Sequence, residues 1–142
     1  MKTSNHNTEQ SARGYLMYQL ARRGYNVQFT DSRFPGEDLM VSSPSGKHFG
    51  IDVKGMRTKN FWLLKEPTAN PELFYAFVYV PEVGYPRVFI MTSEVALKFW
   101  QEVKEDNYAR NLVNTKKKSP FVPGINWTTP HQYEDRYDLL FT

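Results

Sequence analysis

Asp38, Asp52 and Lys54 form the chemical nucleus of this sequence. Asp38 opens an alternating stretch over residues 38–42, and Asp52 and Lys54 end a second one over residues 47–54. Ser43, Pro44, Ser45 and Gly46 between them have turn composition, so the two stretches read as the strands of a hairpin. Side chains alternate across a strand. Phe49, Ile51 and Val53 therefore share one face of the second strand, and His48, Gly50, Asp52 and Lys54 share the other. Closing the hairpin through residues 44–46 places Asp38 across from Asp52 and gathers Leu39 and Val41 with the apolar trio. A slip of one residue would invert that partition, so burial fixes the register.

Two carboxylates facing each other across a sheet repel by about 0.2–1 kcal/mol, and a hard divalent cation relieves the repulsion. Mg2+ (or Mn2+) takes oxygen ligands, commonly one or two carboxylates with waters and a substrate phosphate. An ammonium at Lys54 would orient or deprotonate a water, or neutralise charge developing on phosphate. The expected chemistry is metal-assisted hydrolysis of a phosphodiester. The alternative for Asp52 and Lys54 is a solvated strand face.

The elements around the hairpin follow from periodicity. Glu9, Ala12, Leu16 and Leu20 recur at helical spacing, with Thr8 as expected N-cap and Gly24 as stop. Residues 1–7 read as a frayed, polar start, 26–30 as a short strand and 31–36 as a loop holding Pro35 and Gly36. Residues 57–64 are ambiguous between a strand end and an inward-packing loop. Residues 73–80 and 87–91 read as strands, with a turn over residues 81–86. A helix capped by Ser93 runs to about Val103, with Val95, Phe99 and Val103 on one face. Residues 107–142 read as an irregular basic C-terminal extension, with a short helix and an apolar anchor of Tyr137, Leu139 and Leu140 near the end. The expectation is one domain over residues 1–142, of α/β class, with a mixed central β-sheet flanked by helices.

The segment Gly36-Glu37-Asp38-Leu39, a turn, and then Ile51-Asp52-Val53-Lys54-Gly55 resembles the PD-(D/E)XK nuclease superfamily. The likeness covers residues 8 to 100 or so. It implies a restriction-endonuclease-like fold and a Mg2+-dependent endonuclease acting on DNA. By that resemblance Asp38 and Asp52 are metal ligands, Lys54 is the catalytic lysine and Glu9 is an accessory acid, direct or through water. Glu37 stands where the family often has proline, and alternation turns it to the other face as a peripheral residue. The family includes restriction enzymes and Holliday-junction resolvases, and its small members often act as dimers. RNA as substrate is not excluded. The same fold without cleavage would be a nucleic-acid-binding module, or a subunit of a larger DNA-processing complex.

Composition bounds these readings. With 40% hydrophobic and 23% charged residues, the chain has enough apolar material for one core and is not a disordered polyelectrolyte. No cysteine is present, which removes disulfides, zinc-thiolate sites and thiol nucleophiles and fits a reducing cytoplasm. Neither a signal peptide nor a membrane span is expected. A net charge of +3 and a pI near 9.1 permit a polyanionic partner without demanding one. Arg57 and Lys59, and the run Lys116, Lys117 and Lys118, are either nucleic-acid contacts or ordinary surface charge. His48 is either beside the substrate or a solvated strand-end histidine. Trp62, Trp100 and Trp127 are expected in the core first and on bases second.

Overall fold

The computed structural model describes residues 4–30, 38–114 and 116–142. The loop expected over residues 31–36, and Glu37, lie outside the described residues.

Strands β1 (Asn26–Phe29), β2 (Leu39–Ser42), β3 (His48–Met56), β5 (Leu73–Tyr79) and β6 (Arg87–Thr92) make one sheet in the order β1-β2-β3-β5-β6. All neighbours are antiparallel except β3 and β5, which run parallel. The sheet is mixed, and the class is α/β as expected. The crossover from β3 to β5 carries a two-residue strand, β4 (Trp62–Leu63), which pairs with β7 (Gly124–Ile125). That pairing resolves the ambiguity over residues 57–64.

Two apolar layers sandwich the sheet. Helix α1 (Asn5–Arg22) buries Ala12, Leu16 and Leu20 against Leu39, Val41, Phe49, Ile51, Val53, Ala76 and Ile90. This is the alternate face read from the hairpin, and the register Leu39–Ile51, Val41–Phe49 is the one that burial requires. The C-terminal anchor joins the same layer: Leu140 is buried, and the Phe141 ring meets Phe49 and Phe74 edge-on at 5.5 Å. Helix α2 (Ser93–Val113) and the β4–β7 pair cover the other face over Tyr75, Phe77, Phe89 and Met91. Trp62 and Trp100 belong to this second layer. Trp127 stacks on Trp62 at 5.6 Å, so the tryptophans are core residues as their default reading holds.

Several element boundaries differ from expectation. α1 begins at Asn5 rather than after Thr8, because Ser4 Oγ accepts from Asn7 N at 3.2 Å and supplies the cap. The frayed start therefore does not extend to residue 7. Thr92, not Ser93, caps α2 through Val95 N. Ser93 Oγ instead accepts from Asn70 N and donates to Asn70 O, both at 2.7 Å, and clamps the end of the crossover. α2 continues to Val113, ten residues past the expected Val103. Its last turns are anchored by side chains rather than by an apolar stripe: the Asn107 and Asn111 amides donate to Ser119 O, and Ser119 N donates to Asn111 Oδ1. The tail is less irregular than composition suggests, holding β7 and two 3-10 helices, Thr129–Tyr133 and Tyr137–Leu139.

Gly55 sets the distance between α1 and β3. A Cβ there would lie 2.9 Å from Ala12 Cβ and 3.1 Å from Thr8 O. Gly55→Ala should lower unfolding free energy by about 1–3 kcal/mol, the usual range for overpacking. Urea titration of the two proteins checks this, and an unchanged midpoint would show that α1 is not seated so closely.

Candidate active site

The site is built on the one stretch of β3 that outruns β2. β2 begins at Leu39, opposite Ile51, so β3 residues 53–56 have no strand on that side. Odd-numbered amides of β3 point toward β2 and even-numbered ones toward β5, where Gly50 N donates to Glu72 O at 2.8 Å. Beyond Ile51 the missing acceptors come from side chains. Asp38 Oδ2 accepts from Val53 N at 2.7 Å, and Glu9 Oε1 accepts from Gly55 N at 3.2 Å. Two carboxylates thus replace carbonyls along the open edge, because an unpaired buried N–H is expensive.

Asp52 lies on the β3 face away from α1, next to Tyr75 of β5, and is 7% exposed. Lys54 Nζ stands 3.1 Å from Asp52 Oδ1. The contact is an ion pair without hydrogen-bond alignment, and Oδ1 is buried with no hydrogen-bond partner among the described residues. Burial, opposed by Lys54 and reinforced by the Asp38 charge, pushes the Asp52 carboxyl up to about 6. Burial also raises Glu9, against the Gly55 N–H and the Lys54 charge. Tyr75 is driven to about 12 by burial first and by Asp52 second, so its hydroxyl keeps its proton.

These groups open onto a cleft of about 850 Å³ whose wall includes Asp52, Lys54, Lys65, Thr68, Asn70 and Tyr75. A smaller hollow of about 320 Å³, containing Glu9, Lys54, Gly55 and Arg57, adjoins it through Lys54 and Leu63. The indole of Trp100 donates to Leu64 O at 2.9 Å and holds the crossover beside Lys54. A separate apolar hollow of about 740 Å³ between Phe61, Leu63 and α2 contains none of the three nucleus residues.

Asp38, Asp52 and Lys54 are therefore brought together as expected, with Glu9 on their flank. Arg13 is an addition: its Nη1 lies 3.5 Å from Asp38 Oδ1. Nothing in the hairpin motif points to it, although its spacing of four from Glu9 places both on one helical face. Lys65 and Tyr75 also join the site through the crossover and the β3–β5 register, which carry no local signal. Arg57 reaches the smaller hollow but is ion-paired with Glu82 at 2.7 Å. Lys59 is exposed on the loop after β3. Lys116, Lys117 and Lys118 are exposed beyond the end of α2 and do not line the cleft.

The residues fit a divalent cation in donor chemistry. Asp52 presents a buried carboxylate oxygen whose neighbour is Lys54, and the Asp38 charge acts on it. Among the described residues no three His, Asp or Glu side chains form a cage. A two-carboxylate site is the common arrangement for Mg2+, with waters and phosphate filling the remaining positions.

The raised Asp52 pKa has a consequence for stability. The fold favours the protonated form, so that contribution is fully present below about 3.8 and is lost as pH rises through about 6. Above that, wild type holds a buried carboxylate at a penalty of at most about 3 kcal/mol. Asp52→Asn in metal-free buffer should melt above wild type at pH 8, with the difference closing below pH 4. Thermal melts across this range test it, and a variant less stable at pH 8 would contradict the assignment of Asp52 as a strained charge. Compared with protein-family models, curated proteins and solved structures, the chain matches none of them.

Proposed function

We propose that the protein is a metal-dependent endonuclease that hydrolyses DNA phosphodiester bonds, on a restriction-endonuclease-like fold. One observation carries the reading: the Asp38 carboxylate is close enough to act on that of Asp52 while Lys54 stands 3.1 Å from a buried oxygen of Asp52. A buried carboxyl raised by desolvation and held beside a lysine in a cleft is the kind of group that clusters at functional sites.

Asp38 and Asp52 are the residues that would hold Mg2+ or Mn2+, and the bound ion would supply Lewis-acid charge for the phosphoryl oxygen and a more acidic water. Lys54, on the cleft side of Asp52, is placed to neutralise charge on the phosphate or to orient the attacking water. Arg13 balances Asp38 in the free protein. Glu9, held by Gly55 N, keeps a second acid beside Lys54 and serves as an accessory group. Lys65 on the opposite cleft wall suits a phosphate contact.

A second reading has its own support. Asp38 already has Val53 N and Arg13 as partners, and Asp52 has Lys54. A carboxylate network satisfied internally fits a nucleic-acid-binding module that does not cut. Calorimetric titration with Mn2+ separates the two, since such a module has no need of the ion.

Lys54→Ala and Asp52→Asn should each reduce Mg2+-dependent cleavage of supercoiled, linear or branched DNA by about 100-fold or more. Asp38→Asn is the preferred third variant, because its amide oxygen still accepts from Val53 N while the charge is gone. Circular dichroism should show all three folded. Wild-type cleavage rates in folded Lys54→Ala would refute the active-site assignment.

A further inference from the structure

The face of the sheet that carries Asp52 is only half covered. α2 packs on β5, β6 and β7, and α1 occupies the opposite face. Among the described residues α2 makes no comparable contact with the part formed by β1, β2 and β3, although Gly50 within it is buried. Register sets out its side chains in cross-strand rows. Asn26, Ser42 and His48 form one row, and Gln28, Met40 and Gly50 the next. Beyond them along β3 comes Asp52, with the Asp38 carboxylate near it.

These rows line a hollow of about 410 Å³. Asn70 is on its wall and also on the wall of the Asp52–Lys54 cleft, so the two spaces adjoin. Asn70 is firmly placed: Ser93 Oγ holds its backbone N and O, and its Oδ1 accepts from Glu72 N at 2.9 Å. Alternate residues along β3 are about 6–7 Å apart, so Gly50 and His48 lie one and two such steps from Asp52, the span of a nucleoside attached to a phosphate at the cleft.

We infer that this polar hollow, lined by Asn26, Gln28, Ser42 and His48 around Gly50, is a subsite for the base and sugar next to the scissile phosphate; it rests on the nuclease reading above. The charge pattern chooses the nucleoside over the backbone. Among the described residues the hollow has no Lys or Arg on its wall, and the carboxylate there is Glu72, which repels phosphate. What remains is neutral hydrogen-bonding chemistry. Asn and Gln amides match base edges two bonds at a time. The His48 ring is oriented by Nδ1 at 2.8 Å from Ser42 Oγ, which leaves its other nitrogen for a ligand. Met40, 54% exposed, offers a polarisable thioether for a base to lie against. Gly50 puts no side chain between His48 and Asp52, and glycine inside a strand marks a close approach of this kind.

The test uses the full chain and a pool of DNA oligonucleotides, duplex and single-stranded, randomised on both sides of the cut and cleaved with Mg2+ or Mn2+. Sequencing of the ends should show wild type favouring particular bases within a few nucleotides of the cut. The double variant Asn26→Ala/Gln28→Ala, shown folded by thermal melting, should flatten that preference by about 5- to 100-fold, as expected for the loss of bidentate base contacts. His48→Ala should flatten it partly. A wild type that cuts without base preference overturns the subsite and leaves the nuclease reading standing, as does a double variant with the wild-type preference. If wild type does not cut, the nuclease reading fails, and binding of the same pool in Ca2+ decides the subsite. Sequence enrichment lost in the double variant supports it, and uniform binding by wild type overturns it.

Discussion

The site depends on β3 being longer than the strand beside it. Where β2 stops, β3 presents amides at Val53 and Gly55 that have lost their carbonyl partners, and the carboxylates of Asp38 and Glu9 take over. A backbone donor in such a position must be satisfied. The satisfaction is local and cheap: an acid at the start of β2 and an acid on the first turns of α1 both reach the edge. Their negative charge is thereby drawn to the segment that carries Asp52 and Lys54. Structural need and the proposed chemistry coincide, because the groups that complete the ladder are acids that the proposed metal site would use.

A second constraint shapes the cleft. The sheet is five strands wide; among the described residues α2 packs over β5 and β6, and β4 reaches the end of β3. Asp52 sits at the step where coverage ends, buried by the crossover yet open along Lys54, Tyr75 and Asn70. The step explains its unusual environment. A fully covered position would demand a neutral residue, and a fully open one would leave the carboxyl at its ordinary acidity. The half-covered position holds a carboxylate under strain, which Lys54 offsets. Stability and the proposed activity therefore pull in opposite directions at Asp52, as is common where a site is preorganised for a ligand.

Clamps at a distance keep this geometry. Ser93 fixes Asn70, the Trp100 indole fixes Leu64, and Gly124 allows β7 to lie against Trp62, where a Cβ would come within 2.0 Å of the Trp62 carbonyl oxygen. Its φ of 152° also lies where side-chain-bearing residues are rare. Each clamp acts on the crossover between β3 and β5, the segment that supplies the far wall of the cleft. A parallel pair needs such a crossover, and here it is a loop pinned by side chains rather than a helix.

Much of this was legible in sequence where physics is local. Alternation and the Ser-Pro-Ser-Gly turn were enough for the β2–β3 register from Leu39 to Ser42, because only one register buries Leu39, Val41, Phe49, Ile51 and Val53 together. The apolar spacing of Ala12, Leu16 and Leu20 gave α1 its buried face. Helix ends were less legible: Ser4 and Thr92 cap where Thr8 and Ser93 were expected, since several hydroxyls stood near each start and only packing chose between them. The last turns of α2 escaped notice because asparagine side chains, not an apolar stripe, tie them down. Tertiary structure alone decided that Arg13, Lys65 and Tyr75 join the site, that the lysine run at residues 116–118 does not line the cleft, and that α2 packs over β5 and β6. Those outcomes depend on which elements meet across long stretches of chain, and no local pattern of hydrophobicity or charge encodes them.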